Sequence, residues 1–230
     1  MQTHNISPNT FVLVSGLKVC GDARDINQGS VIHSDIVKKG LQNETFIANT
    51  LVDMYAKCGF LSTAQEIFDD LPVKDAVSWN ILTAGYVEHG YSETALSLFE
   101  QMQRLGIPSN TVTLVCCLKA CGSIRATLAG NEIYKDIVQK AVERDYFIGN
   151  TLVDMYAKCG SLAEAQVIFN RLSVQEQVSW NALIAGYAEN GKFEEVLNQF
   201  HQTKDPWLPI VLHKTGLGRI FTSFPFVLIV

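Results

Sequence analysis

The sequence predicts an all-α superhelix of stacked helix-turn-helix repeats, and three observations carry that expectation. The undecapeptide NTLVDMYAKCG begins at Asn49 and begins again at Asn150, 101 residues on (150 − 49 = 101). Around it the chain matches itself at the same offset: residues 45–75 agree with 146–176 at 20 of 31 positions, and residues 10–44 with 111–145 at 14 of 35. Within each period, apolar residues recur at helical spacing and are interrupted by glycines. Self-similarity of this kind marks a repeat architecture, in which no unit buries its apolar face alone and neighbours must stack.

Taken in order, residues 1–9 read as the end of a truncated repeat, because Met1, Gln2 and Ile6 fall on Met102, Gln103 and Ile107. Units then span 10–44, 45–75, 76–110, 111–145 and 146–176, an incomplete unit spans 177–203, and residues 204–230 form a non-repeat tail. Each unit reads as two short helices. In the unit 45–75, Leu51, Met54, Tyr55 and Cys58 stand at i, i+3, i+4 and i+7, one apolar stripe. Gly59 closes that helix, and Leu61, Ala64, Phe68 and Leu71 form the buried side of the next. Gly90 and Gly160 repeat the break, while Ala64, Ala95 and Ala165 recur where a small side chain lets two helices approach.

Composition narrows the function. The chain is 47% hydrophobic, ample for a core, and its net charge of −5 weighs against a nucleic-acid partner, since phosphate binders are usually basic. The first ten residues lack the pattern of a signal peptide. The longest apolar run, Ile220 to Val230, is too short for a membrane span and contains Pro225, so no membrane partner is expected. None of the six cysteines forms a CxxC pair, and reduced core thiols are expected, with no metal and no cofactor. No histidine is followed by Glu at the second place, and no P-loop or GxSxG elbow occurs. No enzyme and no small-molecule substrate are expected.

The stretches VSWNILTAGYVEHGYSETALSLFEQMQRLGIPSN and FIANTLVDMYAKCGFLSTAQEIFDDLP resemble pentatricopeptide repeats, and the likeness covers roughly residues 1–203. The 35, 31 and 35 cycle resembles the plant PLS subclass: long units (L) at 10–44 and 111–145, short units (S) at 45–75 and 146–176, and standard units (P) at 76–110 and, incomplete, from Gln177. The resemblance implies a right-handed superhelical solenoid that binds single-stranded RNA at one base per repeat. It also implies a place in the mitochondrion or chloroplast, and a role in guiding RNA editing or processing with the catalytic factor supplied in trans. A helical scaffold that binds a protein partner without RNA is the rival reading, and a fragment with no activity of its own is a third.

Asn stands at the fifth place of each short and standard unit: Asn49, Asn80, Asn150 and Asn181. An amide can read an unpaired base, having donors and an acceptor, but Asn is also a favoured helix N-cap, and the residues alone leave both readings open. The resemblance implies base contact, with the last residue of the unit as its partner. The pairs are Asn49 with Asp75 for U, Asn80 with Asn110 for C, and Asn150 with Glu176 for a pyrimidine; Asn181 leans to a pyrimidine without a partner. Val14 and Val115 occupy the fifth place of the long units and are expected to act as spacers. Phe46, Val77, Phe147 and Val178 hold the second place, where the family sandwiches a base; inter-repeat core is the other reading. Lys18, Lys57, Lys119 and Lys158 recur with the repeat and suit either an RNA path or a solvated face. For residues 204–230, a misread exon end and a hydrophobic cap are the two readings.

Overall fold

The computed structural model describes residues 9–140, 145–196 and 198. Helices α1 (Thr10–Ala23), α2 (Ile26–Lys38), α3 (Thr45–Lys57), α4 (Leu61–Asp69), α5 (Ala76–Glu88), α6 (Ser92–Arg104), α7 (Thr111–Ser123), α8 (Thr127–Gln139), α9 (Tyr146–Lys158), α10 (Leu162–Arg171) and α11 (Gln177–Glu189) run along them, and residues 193–196 are helical as well. No strand occurs among the described residues. The truncated repeat at residues 1–8 and the tail at 204–230, including Ile220 to Val230, lie outside them.

Helices α1, α5, α7 and α9 begin where a side chain satisfies an unpaired N–H group. Asn9 accepts the Val12 N–H at 2.9 Å, Asp75 accepts that of Ser78 at 2.9 Å, and Asn110 accepts that of Thr113 at 3.1 Å. Asp145 takes the N–H groups of Phe147 and Ile148. Each such cap stabilises by about 1 kcal/mol. Glu44 and Glu176 stand at the same place before α3 and α11 and make no side-chain cap. The helices end as their glycines predict: Gly59 has φ +84°, its N–H reaches Ala56 O, and Phe60 N–H reaches Tyr55 O. In the two long units the break falls instead on Arg24 and Arg125, both at φ 55°, and each arginine pairs with a glutamate 64 residues on: Arg24 with Glu88 at 2.7 Å, Arg125 with Glu189 at 3.7 Å (88 − 24 = 189 − 125 = 64).

The chain forms two compact units, Met1–Ala120 and Cys121–Val230, the division falling inside α7. In the first, α3 packs between α1 and α5, while α2 and α4 each pack on their own partner helix and on the next. In the second, α9 packs on α8, α10 and α11. The expected apolar stripes are the cores. Leu51, Met54, Ala64 and Phe68 are buried in the first unit, and the Phe68 ring meets Trp79 edge-on at 4.9 Å. Phe169 meets Trp180 at 4.5 Å in the second. Backbones touch where the sequence is small. A Cβ on Gly85 would stand 2.6 Å from Ala56 Cβ, so α3 and α5 meet with no room for a side chain.

All six cysteines are free thiols; Cys20, Cys117 and Cys121 are buried and the other three half-buried. Burial pushes the Cys121 thiol up to about 12, so it stays protonated and behaves as a small apolar residue.

Candidate functional site

The fifth-place asparagines lie inside α3, α5, α9 and α11, about one turn from each start. None is an N-cap. The capping places belong to Glu44, Asp75, Asp145 and Glu176, which overturns the capping reading of the asparagines. The reason is geometric: a cap precedes the first helical residue, whereas the fifth place is already inside the turn whose N–H groups need capping. Asn49, Asn80 and Asn150 are buried and Asn181 half-buried.

Their hydrogen bonding divides them. The Oδ1 atoms of Asn49, Asn150 and Asn181 are buried without a partner. An acceptor left so costs about 1–3 kcal/mol, which nothing in the fold returns. Asn80 is engaged instead at both amide atoms: its Nδ2 donates to Asn110 Oδ1 at 3.1 Å, and its Oδ1 accepts the Thr113 hydroxyl at 2.5 Å.

The last residue of a unit stands at the N-cap place of the next helix, and Asp75 and Asn110 close that helix with their side chains. Asp75 Oδ1 accepts both the N–H and the hydroxyl of Ser78, at 2.9 and 3.0 Å. Glu176 takes the hydroxyl of Tyr146, and this carboxylate raises the tyrosine's pKa. Asn110 is part of the network at Asn80. Val14 is buried and Val115 half-buried, with no polar group to offer.

The second-place side chains are on the surface. Phe46 is 64% exposed, Phe147 66%, Val77 54% and Val178 60%, so the inter-repeat-core reading is overturned. One residue from the helix start, these side chains precede the first buried stripe. The long units carry the same feature, Phe11 and Val112, which the sequence argument missed although the repeat register points to both. Large apolar groups held in water at one phase of every unit form a ready stacking surface.

The lysines divide too. Lys57 Nζ lies 2.9 Å from both Asp22 and Asp53, and the bond to Asp22 is the larger cause of its raised pKa. Lys158 pairs with Asp154 at 2.7 Å. Both are engaged on ion-paired helix faces. Lys18 sits differently, its Nζ 5.9 Å from the centroid of the exposed Phe46 ring.

The PPR repeat family model matches residues 74–123, and the PPR repeat model matches residues 46–75, 150–174 and 178–205. The chain belongs to the pentatricopeptide repeat family. It is similar to a chloroplastic pentatricopeptide repeat-containing protein of Arabidopsis thaliana, 36% identical over 198 residues, which are 86% of this chain and 32% of that protein. A mitochondrial member from the same plant is 38% identical over 197 residues, 86% of this chain and 19% of that one. This pentatricopeptide repeat chain thus spans about a third or less of the length of these relatives. Among solved structures it resembles the pentatricopeptide repeat protein PPR10 in complex with an 18-nucleotide psaJ RNA element, with a TM-score of 0.71 at 20% identity over 87% of this chain and 30% of that one. The likeness shows the fold: an all-α solenoid of helix-turn-helix repeats.

Proposed function

We propose that this pentatricopeptide repeat protein binds single-stranded RNA, each short or standard unit contacting one base through its fifth-place asparagine and its last residue. The observation that carries the proposal is the buried, unpartnered Oδ1 repeated at Asn49, Asn150 and Asn181. A base edge that draws the amide outward would supply the missing donor. The exposed second-place residues support the same reading, since base stacking on an aromatic side chain is worth about 1–3 kcal/mol. With an acidic chain and two of the four repeating lysines committed to carboxylates, affinity rests more on stacking and hydrogen bonding than on charge.

In the family's parallel reading order the units spell 5′-N-U-C-N-Y-Y-3′, with U at Asn49 and Asp75, C at Asn80 and Asn110, and unread bases at the long units. The names of relatives support action in a chloroplast or mitochondrion, where the chain would guide an editing or processing factor supplied in trans. Selection from a random single-stranded RNA pool tests the proposal. Enrichment of sequences with U followed by C is expected. Enrichment of no RNA would transfer the case to a protein-binding scaffold.

A further inference from the structure

One hydroxyl at the candidate interface does more than close a helix. Thr113, the third residue of α7, is buried at 1% exposure. Its Oγ1 accepts the Asn110 N–H at 3.2 Å while Asn110 Oδ1 accepts the Thr113 N–H at 3.1 Å, a reciprocal clamp at the helix start. That clamp is complete without Asn80. Yet the shortest bond of the hydroxyl, at 2.5 Å, runs 33 residues back to Asn80 Oδ1.

The donor inventory then decides what a ligand meets. An amide has one oxygen acceptor and two N–H hydrogens. At Asn80 the oxygen is engaged by Thr113 and one hydrogen by Asn110, which leaves an N–H. At Asn110 the oxygen takes the Asn80 amide and the Thr113 N–H, which leaves its own amide hydrogens. Both oxygens are thus turned to protein donors, and the amide hydrogens left over are the groups set toward a ligand. Cytosine and uracil differ at N3 and at position 4: cytosine N3 accepts and its 4-amino group donates, whereas uracil N3 carries a hydrogen and its O4 accepts, so an N–H set against N3 favours cytosine. At Asn49 the arrangement is opposite. The hydroxyl at the equivalent place, Ser78, is spent on Asp75, Asn49 Oδ1 is unpartnered, and the Asp75 carboxylate only accepts.

We propose that Thr113 is a specificity-determining residue: by holding Asn80 Oδ1 its hydroxyl fixes the amide with an N–H toward the base, a donor set against N3 that selects cytosine over uracil. The proposal rests on Asn80 and Asn110 being base contacts. Thr113→Val keeps the shape and removes the hydroxyl; Thr113→Ser keeps the hydroxyl. In the full chain, each competes for two RNA pairs, one differing as C or U at the base of unit 76–110, the other as U or C at the base of unit 45–75. The wild type and Thr113→Ser prefer C at the first place. Thr113→Val loses that preference by about fivefold or more, the size of one good base contact, and keeps its preference for U at the second. An unchanged C-to-U ratio in Thr113→Val overturns the inference, and so does an equal loss at both bases, which would make Thr113 a fold residue only. A wild type without preference at either base sinks the base-contact assignment itself, and the inference with it. The side-chain amide NMR signals of Asn80 give a readout without RNA: they should shift in Thr113→Val and stay in Thr113→Ser, and signals unmoved by the valine would overturn the contact.

Discussion

The two copies of NTLVDMYAKCG, from Asn49 and from Asn150, fold into matching helix ends and serve different neighbourhoods. Both asparagines are buried to the same degree, 7% and 6% exposed, and both carry an Oδ1 without a partner. Their companions diverge. Asp75 turns back to close α5 through Ser78, whereas Glu176, one methylene longer, leaves α11 without a side-chain cap and receives the hydroxyl of Tyr146. The unit 45–75 has Thr45 where the other has Tyr146, so no phenol exists there to take the carboxylate. What an identical helix can recognise is therefore decided by residues outside the identical stretch.

The comparison breaks first if the copies do not share a core. Phe68→Ala and Phe169→Ala should each lower the unfolding free energy by about 3–5 kcal/mol in urea titration, because each ring is fully buried against a tryptophan. A cost confined to one copy would mean that the two cores are not equivalent. The engaged amide at Asn80 sharpens the contrast at the next level. Asn80→Thr should switch the third base from C toward A, by the family's code, and Asn80→Ala should weaken both versions without a switch. The contact is worth roughly 1–3 kcal/mol, a several-fold or larger change in a competition at fixed salt. A Thr variant that keeps the wild-type order would place the contact register elsewhere.

Smaller effects separate the last residues. Asp75→Ala removes a cap and should cost about 1 kcal/mol, while Glu176→Ala, at an exposed contact, should stay within about 0.5 kcal/mol. Equal costs in thermal melts would refute the difference in capping. The smallest expected effect is none: a strong chelator should leave the melting temperature unchanged, since the thiols pack as core groups. A large drop would reveal a metal site.

The helical hairpins were legible because their signals are local: stripes such as Leu51, Met54 and Tyr55, and glycines such as Gly59 at a left-handed turn. The phase of Asn49, Asn80, Asn150 and Asn181 was legible for the same reason. What escaped was anything set by partners distant in sequence. Whether Asn80 is engaged depends on Thr113, 33 residues on, and whether a unit's last residue closes the next helix depends on the length of its acidic side chain. Burial of the second place was equally hidden, because Phe46 and Val77 look like core residues and only the packing leaves them in water.

The double employment of Asp75 and Asn110 limits how such an array can be retargeted. Asp75 and Asn110 hold the first N–H groups of α5 and α7 and also stand at the proposed base contacts. Changing the letter that is read therefore also changes how firmly the next hairpin starts. Side chains that close a helix well are the short polar ones, Asp, Asn, Ser and Thr, and these set the vocabulary from which new specificities can be drawn without loosening the scaffold. A unit that ends in Glu, as 146–176 does at Glu176, steps outside that vocabulary and leaves the following helix without its clasp. An engineer who lengthens or rewrites this array would meet helix stability as the grammar of its code.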